Sequence, residues 1–247
     1  MSVTEFFDNF FANGLFSMLI KELGLGEGWI IFLRLFSALI CIIFPYFLGS
    51  MNFAIMISKR KYNQDIRDFG SGNAGATNVM RTYGKSAAFL TFGGDALKAF
   101  VSGFIGYAAF GKYGAYIAGL FCVLGHVFPI YYKFKGGKGV VTLAISILMC
   151  NWIAFLILIV LFVLIVLATK YISLASIMCA MLYPIVLDRI EKLLFGGTGA
   201  YVILALMSSA LVIFMHRGNI KRLLSGKENK FSFKKSVKPD SNTKEAK

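Results

Sequence analysis

Long apolar runs separated by short polar knots set the pattern of this chain. The runs cover about Ile31 to Ile57, Ser86 to Phe110, Tyr113 to Tyr132, Val140 to Ala168, Ser173 to Leu187 and Ala200 to Met215. Several exceed the ~18 residues that mark a membrane-spanning helix, so the pattern predicts an all-α integral membrane protein. Val140 to Ala168 is about 29 residues, or about 44 Å as a single helix, against a hydrocarbon core of ~30 Å. Asn151 and Trp152 interrupt it with a polar and interfacial pair suited to a turn. Split there, into helices of about Val140 to Cys150 and Ile153 to Ala168, the chain reads as a bundle of about seven transmembrane helices.

Charge decides the orientation. The net charge is +14 with 57% hydrophobic residues and a mean hydropathy of +0.71; basic proteins that bind nucleic acid are not usually this apolar. Lysine and arginine gather at Lys59 to Lys85, at Lys133 to Lys138, at Lys170 and in the tail that begins His216-Arg217. Seven crossings place all of these on one face, the cytoplasmic one by the positive-inside rule. Without the turn at Asn151 the basic tail would land opposite the other basic loops. The acidic N-terminus and the charge-balanced loop Asp188 to Lys192 fall outside.

Three regions follow. Residues 1–28 form an N-terminal extension without the basic start of a cleaved signal peptide. Its Phe6, Phe7, Phe10 and Phe11 suit an interfacial amphipathic helix. Residues 29–230 form the membrane domain. Residues 231–247 are lysine-rich and polar, expected to be disordered and drawn to anionic lipid. The cysteines Cys41, Cys122, Cys150 and Cys179 all sit inside apolar runs, with neither zinc-ligand spacing nor a disulfide pattern, and read as small hydrophobes.

The candidate chemistry sits in the polar knots. Gly70 to Arg81 reads GSGNAGATNVMR, where Gly70, Gly72 and Gly75 keep the backbone open. Ser71, Asn73, Thr77 and Asn78 offer short polar side chains, and Arg81 a planar fork for a phosphate or carboxylate. The formal GxGxxG spacing lacks the strand and helix that a dinucleotide site needs. A second knot, Lys133-Phe134-Lys135-Gly136-Gly137-Lys138-Gly139, is not a P-loop, yet it sets lysines beside exposed N–H groups, a plausible phosphate seat. Asp95 and Lys98, inside an apolar run, stand three apart and can pair on one helix face, with a structural and a functional role both open.

Three motifs on the cytoplasmic face, GSGNAGATNVMR (Gly70 to Arg81), GHVFPIYYKFKGGKGVVT (Gly125 to Thr142) and HRGNIKRLLSGKENK (His216 to Lys230), together resemble the bacterial acyl-phosphate:glycerol-3-phosphate acyltransferases, the PlsY family. The likeness covers about Tyr46 to Lys230 and extends to Leu48-Gly49-Ser50, to Asp95 and Lys98, and to Ser173-Leu174 with Ser176. The chain departs from the family pattern at Met51 to Ala54, Ala99 and Val141, positions that bear on helix packing. The resemblance implies transfer of a fatty acyl group from acyl phosphate to glycerol 3-phosphate, giving lysophosphatidic acid and inorganic phosphate in a bacterial plasma membrane, with the active site facing the cytoplasm. It implies catalytic roles for Ser71, Asn73, Arg81, His126, Lys138 and His216. Substrate contacts are expected from Gly70, Gly72, Gly75, Thr77, Asn78, Lys135, Gly136, Gly137, Gly139, Ser176, Asn219 and Glu228. His126 and His216, the chain's two histidines, could each serve as a base by pKa or hold a helix end, and a substrate phosphate oxygen could take the proton instead. An activated donor lets positioning and charge stabilisation replace an acyl-enzyme. No carboxylate and histidine cluster predicts a metal or cofactor.

Two other classes compete. An anion transporter would be favoured by an inverted repeat, which this chain does not display. A metal-dependent phospholipid phosphotransferase needs closely spaced aspartates, and Asp65, Asp68 and Asp95 are too dispersed.

Overall fold

The computed structural model describes residues 3–24, 26–194, 196 and 200–231, with side chains from residue 13 onward, and every regular element among them is helical. In chain order these are α1 (Val3–Leu23), α2 (Glu27–Ser50), α3 (Phe53–Tyr62), α4 (Ala76–Tyr83), α5 (Lys85–Val127), α6 (Val140–Cys150), α7 (Trp152–Thr169), α8 (Ile172–Leu194), α9 (Ala200–Met215) and α10 (Arg217–Leu224). The side chains of Phe6, Phe7, Phe10 and Phe11, and residues 232–247, lie outside the described set.

α5 is the axis of the bundle and packs against α1, α2, α4, α6 and α9. Its small residues let neighbouring backbones come close, the packing mode of helices that have no hydrophobic drive between them in lipid. A Cβ on Gly125 would lie 2.2 Å from the Tyr46 carbonyl oxygen of α2, and one on Gly49 the same distance from that of Cys122. The lipid side is legible in α7, where Trp152, Leu156, Val160, Leu164 and Leu167 are all exposed. Such a helix is stable only in hydrocarbon.

Four helical stretches are long and apolar enough to cross a membrane: Glu27–Tyr62, Lys85–Tyr132, Trp152–Thr169 and Ile172–Leu194. The bent pair Tyr201–Met215 and Arg217–Leu224 makes up to five. Lys85–Tyr132 contains two of the expected runs, broken at Phe110 and Gly111. The division at Asn151 is present, and the Asn151 side chain caps α7 by accepting from Ala154 N–H at 2.9 Å. At eleven residues α6 is about 16 Å long, half the hydrocarbon core.

Three boundaries differ from the sequence expectation. The first run does not continue to Ile57 as one helix: it breaks at Met51, and Asn52 caps α3 by accepting from Ile55 N–H at 3.1 Å. The third run stops being α-helical at Val127 rather than Tyr132. The expected loop at Asp188 to Lys192 is the end of α8, which runs through Pro184 to Leu194. Asp188 pairs with Lys192 one turn on, and buried Glu191 takes the Lys112 ammonium on both oxygens at 2.9 Å and the Asn151 amide at 2.9 Å. Those tertiary partners hold the last turns helical against the local charge pattern.

Candidate active site

At the end of the bundle where the basic loops gather, a polar cavity of about 290 Å³ opens between α4, α5, α6, α8 and α10. Ser71, Asn73, Gly75, Thr77, Asn78 and Arg81 of the first motif line it. The second motif brings His126, Lys138 and Gly139, and the third brings His216, Asn219 and Glu228; Ser176 completes the wall from α8. Residues far apart in sequence thus share one space.

The glycines do a different job from the one expected of them. Gly136 N–H donates to the Val127 carbonyl at 3.0 Å, and Gly137 N–H to that of His126 at 3.1 Å. Ser71 N–H goes to Asn78 Oδ1 at 2.9 Å, Gly72 N–H to Phe69 and Gly75 N–H to Asn73. These donors fold the loops rather than wait for an anion. Gly137 is needed because a Cβ there would lie 2.2 Å from His126 Nε2 and 2.5 Å from the Ala74 carbonyl oxygen. Gly70 and Gly72, which are exposed, and Gly136 and Gly137 do not line the cavity, nor does the exposed Lys135. The N–H groups in the wall come instead from helix ends. Ala76 and Thr77 open α4, Val140 and Val141 open α6, and Ile172 and Ser173 open α8. A helix N-terminus carries about half a positive charge and free N–H groups, so three of them make an anion site.

Two side-chain cations reinforce it. Lys138 donates to Asn219 Oδ1, and Asn219 Nδ2 donates to Glu228 Oε1 at 2.7 Å. Burial, with Arg222 and Arg81 nearby, pushes the Lys138 ammonium down to about 8, against the opposing pull of Glu228. Burial also lowers Arg81. Burial raises the Glu228 carboxyl, yet hydrogen bonds from Asn219, Arg222 and Ser173 hold it below its usual range. Arg222, Ser173, Phe92 and Phe231 also line the cavity without having been assigned a role from the sequence. Ser173 and Arg222 both lie within the stretches that carry the family resemblance, which was the signal for them.

The two histidines differ in what they can offer. The Lys98 ammonium donates to the carbonyls of Gly49 at 3.0 Å and Met51 at 2.9 Å, pairs with Asp95 at 2.8 Å and stands 2.9 Å from His126 Nδ1. An ammonium has three N–H groups for these four neighbours, and Nδ1 of His126 also lies 3.5 Å from Asp95 Oδ1, so that edge of the ring is held by the buried pair. The Nδ1 of His216 lies 2.7 Å from the Val212 carbonyl, to which it must donate, and the Nε2 of its neutral ring keeps a lone pair. Ser71 Oγ makes no hydrogen bond to either ring among the described residues, and no cysteine lines this cavity.

A second, apolar pocket of about 200 Å³ continues from the first. Phe92, Val140, Val141, Phe162 and Ser176 line both, and the pocket runs between α6, α7 and α8 to Leu158, Cys179 and Ala180. A cavity lined by cations and helix N-termini thus opens into an apolar slot within a helical membrane bundle.

The glycerol-3-phosphate acyltransferase family profile matches residues 39–226. The glycerol-3-phosphate acyltransferase of Finegoldia magna is 42% identical over 188 residues, 75% of this chain and 91% of that protein. That of Clostridioides difficile is 39% identical over 209 residues, 82% of this chain and all of the relative. A crystal structure of the integral membrane glycerol 3-phosphate acyltransferase PlsY in its glycerol 3-phosphate form is 38% identical, with a TM-score of 0.73 over 79% of this chain and 96% of that one. Its lysophosphatidic acid form is 36% identical, with a TM-score of 0.70. The chain belongs to the glycerol-3-phosphate acyltransferase family and is an integral membrane O-acyltransferase.

Proposed function

We propose that the enzyme transfers a fatty acyl group directly from acyl phosphate to the primary hydroxyl of glycerol 3-phosphate, giving lysophosphatidic acid and inorganic phosphate. The observation that carries this reading is the continuity of the two pockets. Lys138, Arg81 and three helix N-termini seat phosphate, while the slot beneath Phe92 and Val141 takes an acyl chain. Both substrates bring phosphate, which accounts for more positive charge than one anion needs. The hydroxyl oxygen forms a bond to the acyl carbon as the bond from that carbon to the phosphate oxygen breaks, and the hydroxyl proton ends on the released phosphate. His216 Nε2 accepts the hydrogen bond of the hydroxyl, Ser71 and Asn73 orient the carbonyl and its developing charge, and His126 positions the second motif.

The test incubates purified enzyme and labelled glycerol 3-phosphate with acyl phosphate, acyl-CoA or acyl carrier protein in turn. Lysophosphatidic acid should form from acyl phosphate alone, and wild type given only that donor should accumulate no protein adduct. Ser71→Ala should lower turnover by about 10²- to 10³-fold, as for one lost stabilising donor. An acyl adduct on Ser71 that forms and decays at the rate of turnover would establish an acyl-enzyme instead.

The cavity faces the cytoplasm of a bacterial cell in this reading. Lys59, Lys61, Lys133, Lys170 and Arg222 sit at its end of the bundle, while the opposite end carries the balanced pairs Lys112–Glu191 and Asp188–Lys192. In a cysteine-free background, an impermeant maleimide added to intact cells should label Lys192→Cys and leave Lys61→Cys untouched. The opposite pattern would invert the topology.

A further inference from the structure

Outside the cavity, a single guanidinium joins the two loops that carry its cations. Arg67 lies in the one-turn 3-10 helix Ile66–Asp68, just ahead of the first motif. Asp65 caps that turn by accepting Arg67 N–H at 3.0 Å, and it takes the side chain as a fork, Nε to Oδ1 at 2.9 Å and Nη2 to Oδ2 at 2.6 Å. The third nitrogen, Nη1, crosses to the second motif and donates to the carbonyls of Tyr132 at 3.1 Å and Lys135 at 3.0 Å. Between those two carbonyls, Lys133 and Phe134 have φ of 56° and 57°. Non-glycine residues seldom adopt that conformation, and two in succession persist only where surroundings over-determine them. The same loop runs on through Gly136 and Gly137, pinned to α5, and delivers Lys138 to the cavity.

We propose that Arg67 is a positioning residue for acyl transfer: anchored on Asp65, it holds the Tyr132–Lys135 turn in its left-handed form and thereby sets where the Lys138 ammonium sits. It does not line the cavity, and all three of its nitrogens are engaged, so it is not itself a phosphate ligand. The kinetic part of the proposal rests on Lys138 seating a substrate phosphate. The part that links Arg67 to Lys138 does not.

Freed from Arg67, the turn relaxes and Lys138 gains water. The groups that act on Lys138 are Arg81 of α4, His216, Asn219 and Arg222 of α10 and its approach, and Glu228, with Asp95 and His126 of α5 elsewhere in the same cavity wall. None of them is altered by changing Arg67, so a shift in Lys138 reports the loop. Arg67→Ala and Arg67→Lys are made in the full chain. Amine labelling across the alkaline range, read at Lys138 by mass spectrometry, should show its midpoint rising in Arg67→Ala by about one unit toward the ordinary lysine value. KM for a phosphate substrate should rise about tenfold with the thermal midpoint little changed, and Arg67→Lys should restore little, because lysine cannot hold a carboxylate fork and two carbonyls at once. In a Lys138→Ala background, Arg67→Ala should add almost nothing, since the two act through one group. An unmoved Lys138 midpoint, or effects of the two substitutions that multiply, would overturn the proposal. A wild type inactive with acyl phosphate, in which Arg67→Ala still moves the Lys138 midpoint, would overturn the donor and leave the positioning role standing.

Discussion

Lys138→Ala should cut acyl transfer by about a thousandfold, the upper range for one removed electrostatic stabiliser, while the protein stays folded in the membrane. Lys138 is the cation that the second motif delivers to the cavity wall, bonded to Asn219 and through it to Glu228. In the free enzyme it stands near two other cations, Arg81 and Arg222, and burial with those neighbours pushes it down to about 8. An arriving phosphate reverses that balance. Removing the ammonium therefore relieves repulsion in the empty site and costs only the substrate-bound and transition states, so thermal stability should hold or rise slightly. The sign in pH follows. The protonated lysine is the active form, so kcat/KM should fall as pH rises through about 8. Bound phosphate favours the ammonium and should shift the same limb in kcat to higher pH. Lys138→Arg keeps its charge across this range and should abolish the limb whatever activity it retains. Steady-state rates across the alkaline range and a thermal melt of each variant in detergent decide the matter. Turnover near wild type in Lys138→Ala would take this residue out of the site.

How far the chain could be read in advance depended on the range of the forces involved. The turn at Asn151 was legible because hydrocarbon thickness is a fixed length, and a run about one and a half times that length has to tilt, fold back or leave the bilayer. The break at Met51 was not, because the group that takes the Gly49 and Met51 carbonyls, Lys98, lies almost fifty residues further along on α5. The residue types of Arg81 and Lys138 suggested anion binding, and the fold places both in the cavity. The glycines stood out as special, yet the N–H groups of Gly72, Gly75, Gly136 and Gly137 are bonded within the loops or to α5, and the helix starts in the wall belong to α4, α6 and α8. Sequence marks where a helix begins only approximately, and it does not say that three such ends converge. Arg67 carried no signal of its role, since two of its acceptors are main-chain carbonyls more than sixty residues away.

Lys98→Met should destabilise the protein by about 3–5 kcal/mol, the cost of leaving one charge of a buried pair alone. Asp95 and Lys98 are almost fully buried on α5 at a separation of 2.8 Å, packed among the helices of the bundle, where an unpaired carboxylate is poorly solvated. The two partners are not equivalent. Lys98 also holds the carbonyls of Gly49 and Met51, so Asp95→Asn leaves the ammonium with both. Lys98→Met leaves Asp95 only the His126 ring, whose Nδ1 lies 3.5 Å away, and frees both carbonyls at the α2–α3 break. The order of stability should be wild type, then Asp95→Asn, then the double variant, then Lys98→Met, with the double variant recovering part of the loss because its carboxylate is gone. Activity should follow. The break carries Asn52, whose amide holds the Ala74 carbonyl within the first motif at 3.3 Å, and the same lysine stands 2.9 Å from Nδ1 of His126, against whose ring Gly137 packs. Thermal midpoints in detergent, with initial rates taken well below them, test both halves. Equal losses for Asp95→Asn and Lys98→Met, or a Lys98→Met protein with the midpoint of wild type, would show that the pair is not what holds the two motifs against α5.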